Sequence, residues 1–163
     1  MNKIMGLNKK LLSQYSTPRL KVYTVNQTAV CKHHISFVGG GHGKVYSFIP
    51  DGEIWIAENL SPIERKYFIY HELYEHRKMS AGLSYEVAHE MANKVESKAR
   101  NSPESTLDSL IKLEMERNNE FISERSHFNG TINLHKGSGL HHSHKRKIVE
   151  KDRDKVLIMV YAK

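Results

Sequence analysis

The run His71-Glu72-Leu73-Tyr74-Glu75-His76 packs two imidazoles and two carboxylates into six residues, and Tyr85, His89 and Glu96 follow shortly after. On a helix that turns about 100° per residue, His71 and Glu75 lie about 40° apart, whereas His71 and His76 diverge by about 140°. One ion can therefore take His71 with Glu75 far more easily than both histidines. The same projection puts Tyr85, His89 and Glu96 on one stripe about 40° wide, with Glu90 pointing away. If the two helices are neighbours, His71, Glu75 and His89 can converge on a single cation, with Glu96 and His76 as alternates for the third position. Zinc held by three protein ligands keeps an open position where water is bound and acidified, and a neighbouring carboxylate can act as general base. Glu72 is placed for that role, and Tyr85 for hydrogen-bonding a developing oxyanion. Zinc is the first expectation, with another divalent metal as the alternative.

Other readings of these residues stand beside this one. His71, Glu75, Tyr85 and His89 could instead form a hydrogen-bonded network between two packed helices. His76 reads most simply as a surface residue near Glu72. A two-metal site using Glu72, Glu75, Glu86 and His89 is disfavoured because Glu86 points about 60° from His89. His33, His34 and His42 flank a glycine-rich segment and could add a ligand, although His33 and His34 would point to opposite faces of a strand.

The elements that must position these side chains begin with strands. Residues 21–25 and 30–37 are rich in β-branched and aromatic types and read as strands. The glycine-rich residues 38–43 read as a flexible loop, without the lysine and spacing of a phosphate-binding loop. Residues 45–49 and 53–57, joined by Pro50-Asp51-Gly52, read as a hairpin, and the second strand could pair with a peptide substrate. Ser61-Pro62-Ile63-Glu64 then has the form of a capping box and predicts a helix from 62 to about 80, stopped by Ala81-Gly82. In that helix Ile63, Tyr67, Ile69, Tyr70, Leu73, Tyr74 and Met79 form an apolar arc, with His71 and Glu75 at its border. Ser84 caps a second helix from 85 to about 101, buried through Val87, Ala88, Met91, Ala92, Val95 and Ala99. The short connection at Gly82 makes the two helices neighbours. A third, amphipathic helix is expected from 104 to about 125, and a last apolar stretch follows at 156–161.

The HELYEH run resembles the HExxH helix of zincin metallopeptidases with Glu75 in place of the second histidine, and residues 22–100 resemble small metallopeptidase-like domains of phages and mobile elements. By that resemblance strands precede the metal helix, His71 takes the first ligand role, Glu72 is the general base, Glu75 is the second ligand, and a downstream helix supplies the third. Glu96 falls where a glutamate ligand would lie in some zincins. His89 ranks ahead of it because, with Glu75 already anionic, a neutral imidazole adds no further charge. The implied activity is hydrolysis of peptide bonds in a peptide or protein substrate.

The 163 residues, 39% apolar and 26% charged, suit one ordinary globular domain and exclude a fibrous or wholly disordered chain. The single cysteine, Cys31, excludes an intrachain disulfide and a multi-cysteine zinc site, leaving histidines and carboxylates to hold any metal. The expected fold is α+β, an antiparallel or mixed sheet followed by the metal helix, a second ligand helix and a third amphipathic helix. Its bounds are set at 22–128, between basic segments 1–21 and 129–163. The net charge of +7 concentrates at the ends: residues 1–21 carry five basic and no acidic residues, and residues 131–163 carry eight basic and three acidic. Lys145, Arg146 and Lys147 could meet phosphate backbones, which gives the alternative reading of a non-catalytic nucleic-acid-associated protein. No apolar run approaches the roughly 20 residues that span a bilayer, and no apolar stretch follows the basic start, so neither membrane insertion nor secretion is expected and the chain reads as cytoplasmic.

Overall fold

A computed structural model describes residues 7–133. The chain forms an α+β fold in which a mixed four-stranded sheet precedes the main helices. Strand β2 (Lys21–Val25) lies parallel to β4 (Glu53–Ala57), with Val22 opposite Ile54 and Thr24 opposite Ile56. Alternation along these strands sends Val22, Ile54 and Ile56 toward the helices, and Val25 and Trp55 to a second apolar cluster with Val30, Phe37, Phe48 and Ile49. The sheet order is β1-β2-β4-β3, where β1 (Lys9–Leu11) and β3 (Gly40–His42) form the antiparallel edges. Residues 9–20, grouped by charge with a segment ahead of the domain, thus supply an edge strand and the buried side chains of Leu12 and Leu20.

Two expected strands give way to other structure, and an expected loop becomes a strand. Residues 30–37 do not form a strand: Asn26 accepts a hydrogen bond from the Ala29 amide and caps a short helix α1 (Gln27–Cys31), and turns follow. Residues 45–49 are turns as well, tied by Tyr46 N–H to the His42 carbonyl and by Ile49 N–H to the Tyr46 carbonyl. The hairpin partner of β4 is the glycine-rich segment itself, with Gly41 opposite Trp55. Because β4 has partners on both sides, it cannot accept a peptide as an added strand. Its neighbour β3 holds the sheet edge.

Helix α2 (Pro62–Ser80) starts where Ser61 Oγ accepts from the Glu64 amide. The reciprocal half of the box is replaced: the Glu64 carboxylate reaches Arg100 instead, with both oxygens engaged at 2.7 and 2.8 Å. Gly82, at φ +100°, supplies the left-handed turn that folds α3 (Tyr85–Arg100) back against α2. Ala88, Ala92 and Ala99 are buried, with small side chains that allow close approach, whereas Val87 is 47% exposed, outside the arc expected for it. Helix α4 (Leu107–Asn133), preceded by a 3-10 turn at Glu104–Thr106, runs past the residue 125 expected for its end. Leu107 and Ile111 join Tyr67, Ile69, Tyr70 and Leu73 of α2 in the main core. Every residue from 69 to 78 is consequently buried, polar ones included, and α2 is the central rod of the fold.

Candidate metal centre

With α2 enclosed, its polar side chains are sorted by which neighbour meets them. His71 and Glu75 face α3, as one helical turn requires, and His89 reaches them from α3. Three donor atoms gather: His71 Nε2, Glu75 Oε2 and His89 Nδ1. His89 Nδ1 is 2.6 Å from Glu75 Oε2 and 3.2 Å from His71 Nε2, and His71 Nε2 is 3.5 Å from Glu75 Oε2. Donors held about 2.0–2.1 Å from a tetrahedral zinc ion stand about 3.3–3.4 Å from one another. Two sides of the triangle match that spacing. The short third side is a His89 N–H donating to the carboxylate, the contact that an ion would replace. Two imidazoles and one carboxylate are a donor set suited to zinc, and the residues fit such an ion.

Glu96, an alternate third ligand in the sequence, is directed elsewhere. Its Oε2 accepts from His71 Nδ1 at 2.8 Å, on the side of the ring opposite the triangle. Its other oxygen accepts from Arg100 Nε at 2.8 Å, and Arg100 in turn grips Glu64 and lies over the Tyr67 ring. A carboxylate on Nδ1 fixes the tautomer and orientation that present Nε2. His76, the other alternate, is on the far side of α2. It is not at the surface near Glu72 but 3% exposed, with Nδ1 2.9 Å from Asn118 Oδ1. Asn118 is itself fixed by donating to the Leu73 and Glu114 carbonyls. The wheel separates His76 from His71, but only the packing of α4 could reveal that it is buried.

The triangle opens into a cleft of about 350 Å³ whose lining includes Gly40, Tyr46, Phe68, Glu72, Tyr85 and Asn93. The Glu72 carboxylate lies over the backbone of β3, so close that a Cβ on Gly40 would come within 2.9 Å of its Oε1. Any larger residue at 40 would push the Glu72 carboxylate from this position, a use of glycine that its place in a glycine-rich run conceals. Tyr85 stacks on His89 at 5.2 Å between ring centroids. Burial, followed by the charges of Glu75 and Glu72, pushes its phenol up, which keeps it a hydrogen-bond donor. His42, whose role was open in the sequence, enters the site from β3, while His34 stacks on Phe48 within the other apolar cluster. Lys145, Arg146, Lys147 and the stretch 156–161 lie outside the described residues.

Without an ion, these groups set a pH profile. Burial disfavours a charged His71, but hydrogen bonds to Glu75 and Glu96 outweigh it and raise its pKa from 6.5 to about 10. Burial lifts Glu72 from 4.5 to about 8, with His71 opposing and Glu75 adding to the rise. Burial would also raise Glu75, yet the imidazoles of His42, His71 and His89 gathered around it hold its carboxyl well below the usual range. Burial and the neighbouring His42 depress His76 from 6.5 to about 4.

The folded state binds protons more tightly than the unfolded chain at Glu72 between pH 4.5 and about 8, and at His71 between 6.5 and about 10, so stability falls as pH rises through both windows. It binds them less tightly at His76 between about 4 and 6.5, and at Glu75 below 4.5, so stability falls there as pH drops. The metal-free protein is expected to be most stable between about pH 4.5 and 6.5 and to lose stability steadily above that. Thermal melts in excess chelator check this, and a profile that stays flat from pH 6.5 to 9 contradicts it.

No family model, curated protein or solved structure matches the chain. Among the described residues no helix is long and apolar enough to cross a membrane.

Proposed function

We propose that the protein is a metal-dependent hydrolase, of zincin-like design, that cleaves peptide bonds. The observation that carries this reading is the convergence of His71 Nε2, Glu75 Oε2 and His89 Nδ1 at the wall of a cleft that also receives the Glu72 carboxylate. Two histidines and a glutamate would hold zinc, and when bound the ion supplies a Lewis acid and an acidified water at its open position. Glu72 serves as the general base: its carboxyl reaches the cleft beside the trio, and the charge of a bound ion would bring its pKa below the value of about 8 that burial gives it without one. Tyr85, kept protonated at the mouth of the same cleft, offers a hydrogen bond to charge developing on the substrate carbonyl oxygen. Gly40 and Gly41 of edge strand β3 line the cleft, and an extended peptide can lie alongside them. That assigns to β3 the peptide-pairing role that the sequence suggested for residues 53–57.

Metal analysis tests the first step. Purified full-length chain, incubated with zinc and then desalted, is expected to retain one equivalent, and His71→Ala to retain none while keeping its helical circular dichroism. Absence of bound metal from the parent protein after incubation with zinc, cobalt, manganese and nickel, or equal retention by His71→Ala, would refute the reading.

A further inference from the structure

His42 ends edge strand β3 and is fully buried. Its Nδ1 accepts a hydrogen bond from the Lys44 backbone N–H at 3.3 Å, which leaves the ring proton on Nε2. Nε2 stands 3.1 Å from Glu75 Oε1. The contact is off-line as a hydrogen bond, and among the described residues no other partner reaches this buried nitrogen. The ring is braced edge-on by His76, at 5.2 Å between centroids and 88° between planes, and His76 is anchored by Asn118. The two oxygens of Glu75 therefore have separate surroundings. Oε2 faces His71 and His89, and Oε1 faces His42.

We infer that His42 is a positioning residue for Glu75: its Nε2–H restrains Oε1, so that Oε2 alone is presented beside His71 and His89. The inference rests on reading that trio as a metal centre, and His42 acts through Glu75 without touching ion or substrate. A carboxylate ligand whose free oxygen is unrestrained can rotate, bind through both oxygens or turn away. Groups that fix a ligand from behind commonly contribute about 10–100-fold in metal affinity. Direct ligation by His42 conflicts with the Lys44 amide, because a ring that binds metal through Nε2 carries its proton on Nδ1, where that amide already donates.

His42→Phe removes the N–H and keeps a planar ring, whereas His42→Gln keeps an N–H donor. Zinc affinity is measured by chelator competition on the full-length chain, and the visible absorption of the cobalt-loaded protein is recorded in parallel. His42→Phe is expected to weaken zinc binding about 10–100-fold and to change the cobalt spectrum, while His42→Gln recovers most of the affinity and the parent spectrum. Metal binding and spectra in His42→Phe identical to those of the parent would overturn the inference and leave the metal centre standing. Recovery of neither by a folded His42→Gln would overturn it too. Two ions per parent chain and one in His42→Phe would overturn it by making His42 a ligand, and a parent chain that binds no metal would end both readings.

Discussion

Glu72→Gln is expected to slow hydrolysis of a fluorogenic peptide pool by about 10²–10⁴-fold while leaving the zinc content of the protein unchanged. The substitution preserves shape and removes only the capacity to take a proton. The Glu72 side chain comes from α2 one residue after a donor of the trio, yet its carboxylate lies over Gly40 and groups with Glu75 and His42 rather than with His89. No carboxylate elsewhere in the cleft is equally available. Glu75 is held by three histidines and Glu96 by His71 and Arg100, both with their acidity increased rather than tuned toward neutrality. If Glu72→Gln hydrolyses peptides as the parent does, Glu72 is not the base. If it loses its zinc, Glu72 is part of the ligand set.

The second large effect is on stability, on the opposite face of α2. Glu114 is 2% exposed and accepts from Arg77 Nε at 2.7 Å and from Arg117 at 3.0 Å. Arg77 is itself 5% exposed and lies 5.1 Å from the Tyr74 ring centroid. Removing one member of a buried ion pair takes from the other its bidentate, desolvated partner, a loss of about 3–5 kcal/mol. Glu114→Ala is expected to lose that much in urea unfolding, a large share of the roughly 5–15 kcal/mol that holds an ordinary domain folded. Replacing Arg77 and Glu114 together by methionine should cost much less, because the buried pair is then removed as a unit and Arg117 is partly exposed. A Glu114→Ala loss below about 1 kcal/mol would mean that water reaches Arg77.

What could be read from the residues follows from how local each determinant is. Ser61 and Pro62 fix the start of α2 within four residues, and Gly82 fixes its end, so the helical hairpin was legible. The pairing of His71 with Glu75 follows from helical period alone. Strand β3 was not legible, because glycines that carry no strand propensity are needed where the backbone passes beneath Glu72 and the Tyr46 ring. Residues 30–37 misled for the opposite reason: Val30 and Phe37 enter an apolar cluster that the capped α1 and its turns also fill, while Ile35 is exposed. The pairing of Glu96 with Arg100 is an i,i+4 contact that helical period supplies, but the contacts of Glu96 with His71, His76 with Asn118 and His42 with Glu75 depend on partners that other segments bring. Even the apolar arc of α2 was only half the account. Polar residues are buried along it too, His71 and Glu75 against His89 of α3, and His76 and Arg77 against Asn118 and Glu114 of α4.

The turn at Gly82 also sets an order of events. His71 and His89 are 18 residues apart in the chain, and Glu75 lies between them, so closing the trio restricts only a short loop. The parallel pairing of β2 with β4 joins more distant residues, Lys21 with Glu53 at one end, and carries the larger closure cost. During synthesis the two-helix unit emerges whole before α4 has left the ribosome, so His71, Glu75 and His89 can meet while the rest of the chain is still being made.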